Sequence, residues 1–266
     1  MRLLAAALAA ALALAAPAAA ADCRPCAVAG GTYRTAAPPG WDGATPLGLL
    51  VVFHGYAASG EAVLANDRLR AIAATHERLL VAPDGAADAR GRRSWAHRGS
   101  PSRSRDEPAF VDAVLADVRA RFATSDAAPV FAGFSQGGSM VWDLACRRGA
   151  AFGRYLAVAG GFWEPMPADC ASPVGALVHV HGLDDAVVPL EGRPIGDRWR
   201  QADIFDGFER FVAAAGCAAT PDRLERLGAL HCRSWLSCDA GELALCLHTG
   251  GHSFELAPLA DLLVDG

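Results

Sequence analysis

The sequence predicts a single α/β domain built on a mostly parallel, doubly wound sheet flanked by helices. Three observations carry this. Short, near-continuous apolar runs recur at residues 47–53, 79–82, 128–131, 155–159, 174–180 and 243–247, as in strands buried on both faces of a parallel sheet. Stretches of helical spacing alternate with them, at 61–77, 107–122, 140–148, 206–215 and 256–264. The chain has 266 residues, enough for one large domain with a substantial core, and no internal repeat or low-complexity linker divides it.

The first 21 residues read as a secretory signal peptide rather than as part of the fold. Met1-Arg2 is a short basic start, residues 3–16 are apolar, and Ala18-Ala19-Ala20 supplies small residues for cleavage near Ala20 or Ala21. The apolar run is too short to span a bilayer. Asp22 before Cys23 disfavours a lipoprotein anchor. Residues 22–266 are then one domain, secreted or periplasmic. The formal charge of −5 becomes −6 without Arg2, and no polybasic face is visible, so nucleic acid is not an expected partner. The basic cluster from Arg90 to Arg105 is mixed with Ser and Gly and reads as a solvated loop.

All eight cysteines follow the leader: Cys23, Cys26, Cys146, Cys170, Cys217, Cys232, Cys238 and Cys246. An even number in an exported chain implies up to four disulfides, with the pairing open. Cys23 and Cys26 form a C-x-x-C, but no strand–helix unit surrounds them, so a structural staple is the reading preferred over a redox site.

Taken in order, residues 32–36 alternate weakly and suggest an edge strand. The strand at 47–53 stops at His54-Gly55-Tyr56, and the strand at 79–82 stops at Pro83-Asp84-Gly85. A polar loop from 86 to 105 is long enough to suggest function. The 107–122 helix gathers Phe110, Val111, Val114, Val118 and Phe122 on one side. Then comes Gly133-Phe134-Ser135-Gln136-Gly137, a serine between glycines where a strand turns into a helix closed by Gly149. Glycine is abundant, so the pentapeptide alone is weak. In a strand–turn–helix context it is a nucleophile elbow, which exposes Oγ and aims the new helix's backbone N–H groups at a developing negative charge. Later strands end at Gly160-Gly161-Phe162-Trp163, at His181-Gly182-Leu183-Asp184-Asp185, and at Gly250-Gly251-His252.

In such sheets, ligands bind outside the carboxyl ends of the strands, where these residues fall. Ser135, Asp185 and His252 follow three different strands in the order nucleophile, acid, base. Serine needs a neighbouring base, histidine titrates in the right range, and a carboxylate fixes its tautomer. Asp185 is preferred to Asp184, and His252 to His248. His179 inside a strand and His76 inside a helix read as structural. Two backbone donors are needed for an oxyanion, and the N–H groups of Gln136 and Tyr56 are the candidates. Trp163 and Trp95 are candidates for an aromatic acyl pocket, and Trp142 for the core.

The segments FHGYAASG (53–60), GFSQGGSMVWDLAC (133–146), HGLDDAVVP (181–189) and CLHTGGHSFE (246–255) together resemble the exported polyhydroxybutyrate depolymerase and feruloyl esterase group of α/β hydrolases. The resemblance runs from about Gly30 to the end. It implies a single-domain α/β-hydrolase fold and a serine esterase acting through an acyl-enzyme, with no cofactor. It places the acid at Asp185 and the base at His252, and implies a disulfide between Cys146 and Cys170. It also implies two more among Cys217, Cys232, Cys238 and Cys246, bracing the strand that presents His252. Phe254 stands where that group often has tryptophan, and is a third substrate-binding candidate. Gln136 is more typical of small carboxylesterases and acyl-thioesterases, which keeps a short-chain carboxylesterase or thioesterase as the alternative. More remote alternatives are a serine peptidase, a non-catalytic binding protein of the same fold, and a metallohydrolase using His179, His181, Asp184 and Asp185. The partner implied is a small or oligomeric ester, with no nucleic acid and no membrane anchor.

Overall fold

The computed structural model describes residues 24–102, 105–149, 153–170 and 175–264. The expected leader, with Cys23, lies outside them. Strands β1 (Cys26–Val28), β2 (Gly31–Ala36) and β3 (Gly48–Phe53) lead into helices α1 (Gly60–Leu64) and α2 (Asp67–Thr75), then β4 (Arg78–Pro83). A small hairpin, β5 (Ala86–Ala87) and β6 (Arg93–Ser94), precedes α3 (Glu107–Arg121). The nucleophile unit is β7 (Val130–Phe134) with α4 (Gln136–Arg148), followed by β8 (Arg154–Val158) and β9 (Ala176–Gly182). A second hairpin, β10 (Arg193–Ile195) and β11 (Trp199–Gln201), is followed by α5 (Ile204–Ala214). Then come β12 (Arg223–Leu227), β13 (Leu230–Trp235), β14 (Glu242–His248) and α6 (Ala257–Val264).

Among the described residues, ten strands form one sheet in the order β1-β2-β4-β3-β7-β8-β9-β14-β13-β12. The six from β4 to β14 are parallel, and an antiparallel pair closes each edge. Strand alternation sends side chains to two cores. Leu49, Val51 and Phe53 of β3 join α3, α4 and α5 on one face, while Leu50 and Val52 join α1, α2 and α6 on the other. Both faces of β3 and β4 are therefore covered, which is why these strands read as unbroken apolar runs.

The expected helix at 61–77 is two helices. Asn66 interrupts it by capping α2, its Oδ1 accepting from Leu69 N–H at 3.1 Å. The strand at 32–36 is not an edge, because β1 pairs outside it. The strand expected from 174 begins at Ala176, and Val174 lies outside the described residues. Nor is the 90–105 cluster uniformly solvated. Arg105 is buried against Glu107 at 2.7 Å and lies over the Phe110 ring at 3.6 Å. The hairpins β10–β11 and β12–β13 show no clear alternation in sequence and are additions to the expected elements.

Three disulfides join described residues: Cys146–Cys170, Cys217–Cys238 and Cys232–Cys246. The last connects directly opposed residues of β13 and β14. Cys26 is also disulfide-bonded.

Candidate active site

The parallel strands end on one side of the sheet, and the elbow is built there by close packing. A side chain at Gly137 would put its Cβ 2.1 Å from Phe53 O, and one at Gly133 would meet Gly137 O at 2.2 Å. Only glycine fits either place. Ser135 between them takes φ 57° and ψ −120°, a sparsely populated conformation for an L-residue. Its N–H is tied to Val158 O at 2.9 Å. α4 begins at Gln136 with no side-chain cap, so its first N–H groups have no intrahelical partner and converge beside the serine.

The loop after β3 runs next to this turn, so close that a Cβ on Gly55 would lie 3.5 Å from Ser135 Cβ. His54 fixes the loop. Its Nε2 accepts from Gly85 N–H at 2.9 Å, which leaves a proton on Nδ1 to donate to Gly55 O at 2.7 Å. Burial pushes the His54 pKa down and favours the neutral ring that this arrangement requires. Trp95 Nε1–H donates to His54 O at 2.8 Å. Because a peptide plane is rigid, holding Gly55 O sends Tyr56 N–H the opposite way. That N–H donates to no backbone acceptor among the described residues.

Trp95 is therefore not a pocket residue. It is 0% exposed, edge-on to Phe53 at 5.1 Å, and supports the loop from behind. Its backbone N–H donates to Gln136 Oε1 at 3.3 Å, which links it to the elbow as well.

β9 and β14 are parallel neighbours, and their following loops are joined by Leu183 N–H to His248 O at 2.8 Å and Asp184 N–H to Gly250 O at 3.1 Å. This brings Asp185 and His252 together, with His252 Nδ1 donating to Asp185 Oδ2 at 2.7 Å. Asp185 Oδ1 accepts from Val187 and Val188 N–H at 2.9 and 2.8 Å. Asp184 is exposed to solvent, and His248 accepts from Gly250 N–H within its own turn. The His252 ring lies 4.7 Å from that of Phe134, the residue before Ser135. Among the described residues no hydrogen bond joins Ser135 Oγ to His252; such bonds often tighten only when substrate is bound.

Behind Asp185 runs a buried chain that no sequence motif announces. Trp142 Nε1–H donates to His179 Nδ1 at 3.1 Å, His179 Nε2 meets His181 Nδ1 at 3.0 Å, and His181 Nε2 donates to Val188 O at 2.7 Å. His181 Nε2 is also 3.4 Å from Asp185 Oδ2. The indole can only donate, so it fixes both tautomers in turn. Burial lowers both histidine pKa values, keeping the rings neutral. With all four ring nitrogens engaged, neither histidine has a lone pair left for a metal.

A cavity of about 380 Å³ opens against Ser135 and Gln136. Tyr56, Trp163, Val187, Val188 and Ile195 give it apolar walls. Phe254 is not among them; it stacks on Phe134 at 5.4 Å and packs into the core beneath α6. Arg193 and Gln201 do line it, from the hairpin β10–β11. In the sequence, only Gly192 and Gly196, which punctuate the hairpin, hint at structure there.

No known protein-family profile matches the chain. Among curated proteins it is similar to feruloyl esterase C of Emericella nidulans, 27% identical over 168 residues, which is 61% of this chain and 58% of that one. Probable feruloyl esterase C of Aspergillus niger is 24% identical over 193 residues, 71% of this chain and 63% of that one. The chain thus spans about three-fifths of the length of these curated relatives. Among solved structures, acetyl xylan esterase from Aspergillus awamori superimposes with a TM-score of 0.64 at 10% identity, covering 88% of this chain and 93% of that one. The chain thus adopts the α/β-hydrolase fold, and in sequence it is similar to the proteins named feruloyl esterase C.

Proposed function

We propose that the chain is an exported serine esterase that hydrolyses carboxylic esters through an acyl-enzyme. The observation that carries this is the pairing of His252 with the buried Asp185 at 2.7 Å, its ring 4.7 Å from Phe134, the neighbour of a serine held at φ 57° on a strand–helix elbow. In the first step His252 Nε2 takes the Ser135 Oγ proton as Oγ bonds to the ester carbonyl carbon. Asp185 holds the Nδ1–H and balances the imidazolium. The Gln136 and Tyr56 N–H groups face the carbonyl oxygen as it becomes an oxyanion, each such donor lowering the barrier by about 3 kcal/mol. The carbon–oxygen bond to the alcohol then breaks, and the alkoxide leaves with the proton from His252. Water, deprotonated by His252, attacks the acyl-serine and releases the acid and Ser135.

Trp163 and the apolar walls beside it are suited to an acyl group, and the names of the curated relatives point toward feruloyl esters. Three disulfides between residues 146 and 246, together with the leader-like start, support export. No helix among the described residues is long and apolar enough to cross a membrane.

The test is kcat/KM for methyl ferulate against p-nitrophenyl butyrate, with Ser135→Ala as the blank. Hydrolysis of either ester well above the blank is expected. Preference for ferulate would assign Trp163 to an aromatic pocket, and preference for butyrate would point to short aliphatic esters. Failure to cleave either would overturn the esterase reading.

A further inference from the structure

The hairpin β10–β11 contributes two polar side chains to a cavity whose other polar lining is Ser135, Gln136 and Ser139. Arg193 and Gln201 are directly opposed across its strands and both line the cavity that opens on Ser135. Gln201 is only 6% exposed, and its Oε1 is buried without a hydrogen-bond partner. A carbonyl oxygen left in that state is unusual, and folded proteins keep few of them. Arg193 spends its Nε–H on Val187 O at 2.8 Å. Among the described residues no carboxylate pairs with its guanidinium, whose other N–H groups remain available. Gln201 is anchored in turn, its backbone bridging to Trp163, so the hairpin carrying the polar pair is joined to the segment carrying the aromatic wall.

An arginine can only donate, and the orphaned Gln201 oxygen can only accept. A group that satisfies both must accept from one and donate to the other. A hydroxyl does so. A carboxylate has no proton for Gln201, an ammonium is repelled by Arg193, and a hydrocarbon desolvates both without compensation.

We propose that Arg193 and Gln201 form a subsite that reads a hydroxyl on the acyl group of the ester. This rests on the serine-esterase reading, in which the acyl group stays on Ser135 through both steps and is the part the cavity must hold. The hydroxyl has two candidate sources, the phenol of an aromatic acid or the alcohol of a hydroxyalkanoate.

Two matched pairs separate them: methyl 4-hydroxycinnamate against methyl cinnamate, and methyl 3-hydroxybutyrate against methyl butyrate. In the unaltered protein, kcat/KM is expected to favour the hydroxylated member of one pair by about tenfold or more. The pair showing the preference identifies the source. Gln201→Leu and, independently, Arg193→Met on the more exposed strand should each bring that ratio to within about twofold of one. Equal rates within both pairs, or a preference that survives both substitutions, would overturn the subsite. Cleavage of the unhydroxylated esters by the unaltered protein but not by Ser135→Ala would then leave the catalytic reading standing. Cleavage of none of the four esters would remove both.

Discussion

Asp185 is surrounded by donors: two backbone N–H groups on one oxygen, and His252 with His181 beyond it on the other. Asp185→Asn would keep the shape but present an amide that cannot accept at both ends. The His252 tautomer would no longer be fixed, and kcat is expected to fall by about 10³–10⁴, measured on any ester the protein cleaves. His181 acts one step further back. His181→Phe would leave His179 Nε2–H and Val188 O unpaired in the core, each costing about 1–3 kcal/mol, so thermal unfolding should come several degrees earlier and kcat should drop. His181→Gln, which can still donate, should recover part of the activity; equal losses in both variants would show that hydrogen bonding at this position is irrelevant. On the other side of the serine, Trp95→Phe removes the donor to His54 O. The expected effect is a lower kcat with little change in KM, since the loop that aims Tyr56 N–H is loosened while the cavity walls stay in place. The candidate residues Ser135, Asp185 and His252 can be singled out in the sequence because each follows a glycine-marked strand end. The place of Trp95 is not, because sequence records that a tryptophan lies on a loop, not that the loop folds inward and ties its indole to a buried carbonyl.

At the scale of elements, the central parallel strands are legible because burial on both faces leaves an uninterrupted apolar run, as in β3 and β4. Of the antiparallel margins only β2 is, as the weakly alternating run at 32–36; β1, β12 and β13 are not. β12, with the sequence RLERL, is largely exposed, and its partner β13 alternates only with His231 and Arg233 facing outward. What stabilises this margin is partly covalent. Cys232–Cys246 pins β13 to β14 at directly opposed positions, a separation of 14 residues. β14 in turn carries the loop that delivers His252 to Asp185. Replacing both cysteines by Ala is expected to cost about 3 kcal/mol through the gain in unfolded-chain entropy, or several degrees in Tm. Activity should decay at a lower temperature than global unfolding if the margin frays first. Coincident loss of activity and structure would show instead that β14 is held by the sheet alone.

Over the whole molecule, the site depends on histidines that the fold keeps neutral. Burial lowers the pKa of His54, His97, His179 and His181, and for His97 the value falls to about 4. In the unfolded chain these rings titrate near 6.5. Below that pH the unfolded state binds more protons than the folded one, so stability falls as pH falls, from 6.5 down to the folded value. The buried carboxylates Glu107 and Asp143 act in the opposite sense. Their raised pKa values let the folded state hold protons that the unfolded state has released, so acidification favours folding through them. Each is also offset by an arginine, Arg105 or Arg147, and the four histidines outnumber them. A net loss of stability between pH 6.5 and 4 is therefore expected. His97 isolates one contribution, because it lies outside the histidine chain behind Asp185. It donates from Nδ1 to Arg98 O at 3.1 Å and packs edge-on against Trp163 at 5.7 Å, behind the cavity wall. His97→Phe preserves the ring and removes the titration. In urea unfolding at half-unit pH intervals, its stability should fall less steeply than that of the unaltered protein, by up to about 1.4 kcal/mol per pH unit across that window. Parallel slopes in the two proteins would mean that the His97 ring is protonated without cost, and that Trp163 rests on a wall indifferent to acid.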